Sequence, residues 1–125
     1  MTPTTADILA GNARVIAELA ADDAGPEFAG AKLGVVAMLS VLAAQETETG
    51  VAVRVAENAA IRACLGETGE DADLTIAALD AANAALRRCL IAAHAAVASG
   101  SAEDRAFVAL YRRMAAARLL VLPAM

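Results

Sequence analysis

Apolar residues recur at helical spacing along almost the whole chain. Near the start Ile8, Val15 and Leu19, with Leu9 and Ile16, mark a first helix that begins after a Thr4 or Thr5 cap, carries Asp7 in its first turn and runs to about Ala21. "DDAGPE" closes it. A second helix begins after Gly25, with Pro26 suited to a first turn, and runs through Phe28, Val35, Leu39 and Leu42. Two endings compete: one helix of about 40 residues to Leu65, or a break at "TETG". Two threonines and a glycine, Gly50, favour the break, and "LGETGED" then closes the segment. A third helix is expected from about Asp71 to Ala98, with Asp71 and Asp73 at its positive end. A fourth follows "ASGSAED", with Ser101 as cap and Asp104 in the capping-box position. It carries Phe107, Leu110, Tyr111 and Met114 and ends before Pro123.

The elements predict a single all-α domain over residues 1–125, an up-and-down antiparallel bundle of four or five helices. Composition agrees: 59% of residues are hydrophobic, 2% are aromatic, and more than a quarter are alanine, the best helix former. The middle segment is apolar nearly all round, with Val41 and Val55 opposite Leu39 and Leu42. Such a helix is central in the bundle or covered by a second subunit, so a homodimer is expected.

Ten basic and fifteen acidic residues give a net charge of −5, which disfavours nucleic acid as a partner. Arg105, Arg112, Arg113 and Arg118 cluster late in the chain, without interleaved aromatics, and are expected on a solvated helix face. The longest charge-free apolar run, Leu33 to Gln45, is shorter than the roughly 20 residues that cross a bilayer. "MTPTTADILAG" lacks the basic and apolar segments of a signal peptide, so no membrane contact and a cytoplasmic location are expected. Cys64 and Cys89 are then expected as reduced, buried hydrophobes. A hairpin between the second and third helices puts them roughly 24 Å out of register, too far for a disulfide.

The stretch "LAAQETETGVAVRVAENAAIR" holds the candidate chemistry. On one continuous helix Glu46 and Glu57 fall within about 20° of each other on an apolar stripe, but roughly 16 Å apart, which excludes a shared metal ion or a paired acid and base. On the third helix Asp80, Asn83, Arg87 and His94 lie within about 60° of one another. In a hairpin where position i faces roughly 137 minus i, Arg54 and Glu57 come level with Asn83 and Asp80, and Glu46 comes within about a turn of Arg87. Two readings follow. Either this layer is a paired, bundle-specifying network, or Arg54, Glu57, Asp80, Asn83, Arg87 and His94 line a pocket. There the arginines would clamp an acidic group and His94 or Glu57 would exchange a proton.

Metal chemistry is not expected: the single histidine has Ile91, not glutamate, three residues before it. No glycine-rich loop follows a strand, so no nucleotide cofactor is expected. A lone histidine on a small bundle admits phosphotransfer as a remote alternative, although "IAAHAAVASG" has Val97 and Ala98 where those domains place lysine and glycine.

The segments "TADILAGNARVIAEL", "KLGVVAMLSVLAAQETETG" and "IRACLGE" resemble, chiefly over the first half of the chain, an uncharacterised family of small bacterial all-helical proteins. These are often found near acyl-CoA dehydrogenase and aminoglycoside-phosphotransferase-like genes. The resemblance implies a helix break at Gly50 and an accessory role in acyl or small-molecule metabolism. The chain is thus expected to be a non-catalytic, homodimeric interaction or accessory protein. The alternative is a bundle that binds or transforms an acyl or carboxylate ligand at the polar layer.

Overall fold

The structure, a computed structural model, describes residues 3–21 and 26–122. It is an all-α bundle whose described residues form four helices and no strand: α1 (Thr5–Ala21), α2 (Pro26–Leu65), α3 (Ile76–Ala95) and α4 (Ala102–Ala117). The turn at 22–25, the side chains of Leu19 and Phe28, and Pro123 lie outside the described residues.

The expected break at Gly50 does not occur; α2 is one helix of 40 residues. The threonines do not interrupt it: Thr47 donates its hydroxyl to Ala43 O at 2.9 Å and Thr49 to Gln45 O at 3.0 Å, local bonds that leave the helix continuous. Gly50 keeps a helical φ, and its carbonyl accepts Arg54 Nη1 at 2.9 Å. The helix stops instead at Gly66, whose φ of 69° is left-handed. Its N–H bonds Ala63 O and the next N–H bonds Arg62 O, the Schellman pattern.

Contacts cluster in two compact units, one of residues 1–49 and 120–125, the other of residues 50–119. In the first, α1 packs on the start of α2. Four intervening residues reach at most about 14 Å, against about 25 Å for the length of α1, so the two helices run antiparallel. Ile8 and Ala43 are buried, and Asn12 donates to Ser40 Oγ at 3.1 Å. Beyond α4 residues 119–122 have no regular secondary structure, and Gln45 clasps them reciprocally: its Nε2 donates to Val121 O at 2.7 Å and its Oε1 accepts Val121 N–H at 2.8 Å.

In the second unit the end of α2, α3 and α4 enclose Ile61, Leu86, Leu90, Phe107, Leu110 and Met114. Here the expected hairpin register fails. Partners on α2 and α3 rise together, Arg54 with Asp80 and Glu57 with Asn83 and then Arg87, while Leu65 joins Ala93 and Val97 around the same core. The connection explains this sense. "GETGEDADLT" is ten residues long, where a helical hairpin needs two to five, and extended it can retrace the 16 Å or so back along α2. Asp71, midway, pins it there by accepting Arg62 Nη2 at 2.9 Å and Asn58 Nδ2 at 3.2 Å. Asp71 therefore lies outside α3, which starts five residues later than expected behind a Thr75 cap. α4 returns antiparallel, bringing Arg118 to Glu57 at one end of the unit.

The cysteines also depart from expectation. Both are free thiols, but exposed rather than buried. Cys64 precedes Leu65 and Cys89 precedes Leu90, so each sits one helical step off the residue that faces the core.

Candidate functional site

Among the described residues six polar side chains are buried, and four of them, Arg54, Glu57, Asn58 and Asn83, lie in the second unit. Glu57 is the hub. Its Oε1 accepts Asn83 Nδ2 and Arg87 Nη2, both at 2.7 Å, and Arg118 Nη2 at 3.2 Å; its Oε2 accepts Arg118 Nε at 2.7 Å. The Arg118 guanidinium thus grips both oxygens, the geometry in which arginine binds carboxylates most strongly. Asn83 links the hub to its neighbours, accepting Arg87 Nε at 2.7 Å and donating to Asn58 Oδ1 at 2.9 Å. Asn58, fully buried, passes its own amide hydrogens to Asp71 and to Leu79 O. Arg54, 2% exposed, donates Nε to Asp80 Oδ1 at 2.8 Å.

The electrostatics follow from this pairing. Burial works to raise the Glu57 pKa, but hydrogen bonds from Arg118, Arg87 and Asn83 outweigh it and hold the carboxyl below its usual value. The Arg62 hydrogen bond, outweighing burial, lowers Asp71 likewise. A carboxylate held ionised with both oxygens occupied is a poor general acid or base, which needs a pKa near the working pH and a free lone pair.

Five of the six predicted residues, Arg54, Glu57, Asp80, Asn83 and Arg87, meet in this layer, with exchanged partners. Arg54 meets Asp80, not Asn83, and Glu57 meets Asn83, not Asp80, because α3 runs with α2 rather than against it. Arg87, placed near Glu46 in the hairpin, bonds Glu57 instead. Glu46 is buried, as its stripe position indicated, but belongs to the first unit.

His94 does not join the layer. It stands about two turns beyond Arg87 and meets α4, with Nε2 2.6 Å from Asp104 Oδ1, Nδ1 3.2 Å from the Tyr111 hydroxyl, and its ring stacked on Phe107 at 4.8 Å. An Nε2–H donated to the carboxylate leaves Nδ1 to accept the phenol O–H, so neutral His94 satisfies both neighbours. Asp104 also accepts Gly100 N–H at 2.9 Å, which ties down the α3–α4 turn. The His94 hydrogen bond, then that of Gly100, lowers its pKa.

Three members of the layer lie outside the set expected from the sequence. Arg118 was assigned to a solvated face with Arg105, Arg112 and Arg113. Those three are exposed, but Arg118 is turned inward. The signal was present: Arg118 follows Met114 by four residues and Tyr111 by seven, on the apolar stripe of α4. Asn58, next to Glu57, gives no periodic cue, and Asp71, expected at the start of the third helix, sits instead in the connection before it. Among the described residues no group of three or more His, Cys, Asp or Glu could hold a metal ion, and no helix is long and apolar enough to cross a membrane.

Comparison with protein-family models, with curated proteins and with solved structures finds no match for this chain.

Proposed function

We propose that the protein is a non-catalytic, homodimeric interaction or accessory protein, and that its polar layer serves the fold rather than a ligand. One observation carries this: both oxygens of Glu57, the most connected acid of the layer, are taken up by Arg118, Arg87 and Asn83. A site built for chemistry keeps a polar group aimed at the place where substrate will sit. Here the groups aim at one another and join three helices and the Asp71 loop. An accessory role in acyl or small-molecule metabolism is what the resemblance drawn from the sequence implies. His94 has neither ring nitrogen directed outward, so its cluster also fits a structural role better than phosphoryl transfer.

A carboxylate-binding reading has one feature in its favour: the Arg87 side chain is 44% exposed and can offer further N–H groups to a ligand. A thermal-shift screen of acyl and carboxylate metabolites on the parent and Arg87→Ala proteins separates the two. The accessory reading predicts no metabolite that stabilises the parent alone; one that does so assigns the layer to ligand binding. Light scattering at micromolar concentration tests the dimer, and a monomer contradicts it.

A further inference from the structure

The connection between α2 and α3, residues 66–75, is held to the helices at one point. Nine of its ten residues are exposed, Leu74 among them at 55%, and Asp71 is the exception. The Asp71 side chain is 4% exposed and meets two donors of α2, Arg62 Nη2 at 2.9 Å and Asn58 Nδ2 at 3.2 Å. The other bonds of the segment are local. Gly66 and Glu67 N–H close the end of α2, Asp73 accepts Thr75 N–H, and Thr75 caps α3. No residue of the segment belongs to the apolar core of the second unit.

The rest of the unit does not depend on that point. The first half of the segment turns at two glycines in the left-handed region, Gly66 with φ 69° and Gly69 with φ 140°, and neither is wedged against a helix, since a Cβ built at either meets nothing within 4 Å. These are the places where the chain can swing. When Asp71 leaves, Arg62 turns to water, and the fully buried Asn58 still donates to Leu79 O and accepts from Asn83 Nδ2. The pairs that hold α3 on α2, Arg54 with Asp80 and Glu57 with Asn83, do not pass through the segment. Little apolar surface changes hands, and a part of a fold attached in this way opens with a free energy well below that of global unfolding.

We propose that residues 66–75 form a strap that opens and closes while α2, α3 and α4 stay packed, with Asp71 as its latch. Closed, the strap covers the Asn58 amide and most of the Arg62 side chain, which is 15% exposed. Open, it bares both donors.

Glu67 and Glu70 lie in the strap, and the Glu57 side chain is 2% exposed inside α2, so one digest with a glutamate-specific protease, read by mass spectrometry, follows both motions. Cleavage after Glu57 requires the helices to come apart. In the parent, with rates corrected for protease activity on a free peptide, cleavage after Glu67 and Glu70 holds its rate as urea rises toward the unfolding midpoint, because strap opening exposes little surface. Cleavage after Glu57 climbs over the same range. Without urea, Asp71→Ala raises cleavage after Glu67 and Glu70 about 10-fold or more, and Asp73→Ala, which loses only an exposed bond, leaves it within about two-fold of the parent. Strap cleavage that follows urea as steeply as cleavage after Glu57 would tie opening to global unfolding, and a strap rate unchanged by Asp71→Ala would remove the latch. Either result overturns the proposal.

Discussion

Glu57 and Arg118 stand 61 residues apart in the chain and share a two-pronged ion pair, with Nε 2.7 Å from one carboxylate oxygen and Nη2 3.2 Å from the other. Arg118 is the C-cap residue of α4, so this pair fastens the end of that helix to α2. The Glu57 side chain is 2% exposed and that of Arg118 16%, whereas Arg87, the other arginine on the same carboxylate, is 44% exposed. The two arginines therefore differ in energetic weight. Removing one partner of a buried pair costs about 3 to 5 kcal/mol, and an exposed pair contributes about 1 kcal/mol or less. Arg118→Ala is expected to approach the first range and Arg87→Ala the second, measured by denaturant melts. Equal costs would mean that burial does not rank the pairs.

The acid limb of stability follows from the same carboxylates. Glu57, Asp71 and Asp104 all have folded pKa values below their ordinary ones. A depressed carboxylate stabilises the fold fully above its unfolded pKa, 4.5 for Glu57, and loses that contribution as pH falls through the lower folded value. Melting temperature is expected to be level from neutral pH to about 5 and to fall steadily below about 4. Glu57→Gln should flatten part of that fall. A melting temperature that rises on acidification would contradict the assignment.

The loop before α3 gives a prediction about a residue with no helix of its own. Asp71 accepts from Arg62 and from the fully buried Asn58. Asp71→Ala leaves that amide with only Leu79 O to accept from it and is expected to cost about 1 to 3 kcal/mol. Asp73→Ala removes only an exposed bond to Thr75 N–H, so it should cost less. Denaturant melts of the two variants compare them directly. Equal losses would place Asp71 outside the network.

The thiols provide a simple check on packing. Cys64 and Cys89 are both free and exposed, so two thiols per chain should react with a disulfide reagent in the native protein, without denaturant. Reaction only after unfolding would contradict their exposure.

The helix class, the caps at Ser101 and near Thr4, and the burial of Glu46 and Glu57 were all legible in the sequence, because each is written in local spacing. So was part of the polar layer: Glu57 interrupts an apolar stripe, and Arg54, Asp80, Asn83 and Arg87 lie beside one, where a buried charge needs a partner. Which partner each takes was not legible. Pairing depends on the direction of α3, and that is set by the length of the "GETGEDADLT" connection and by Asp71 docking within it. Arg118 was hidden because three exposed arginines nearby gave it the look of a solvated face. His94 shared a face with the layer but not a level, and its neighbours Asp104 and Tyr111 came from a helix whose register no periodicity could fix. The break expected at Gly50 failed because helix propensity is a weak preference, here overridden by the burial of Gly50 and by Arg54 reaching its carbonyl.

Whether the polar layer holds the fold or awaits a ligand is tested most directly by a double-mutant cycle on Glu57 and Arg118. Glu57→Gln, Arg118→Met and the combined variant are compared with the parent by denaturant melts. A structural pair predicts that each single change is destabilising and that the combined variant loses less than the sum by about 1 kcal/mol or more, since the second change removes an uncompensated charge. Single variants as stable as the parent, or single losses that simply add in the combined variant, would contradict it.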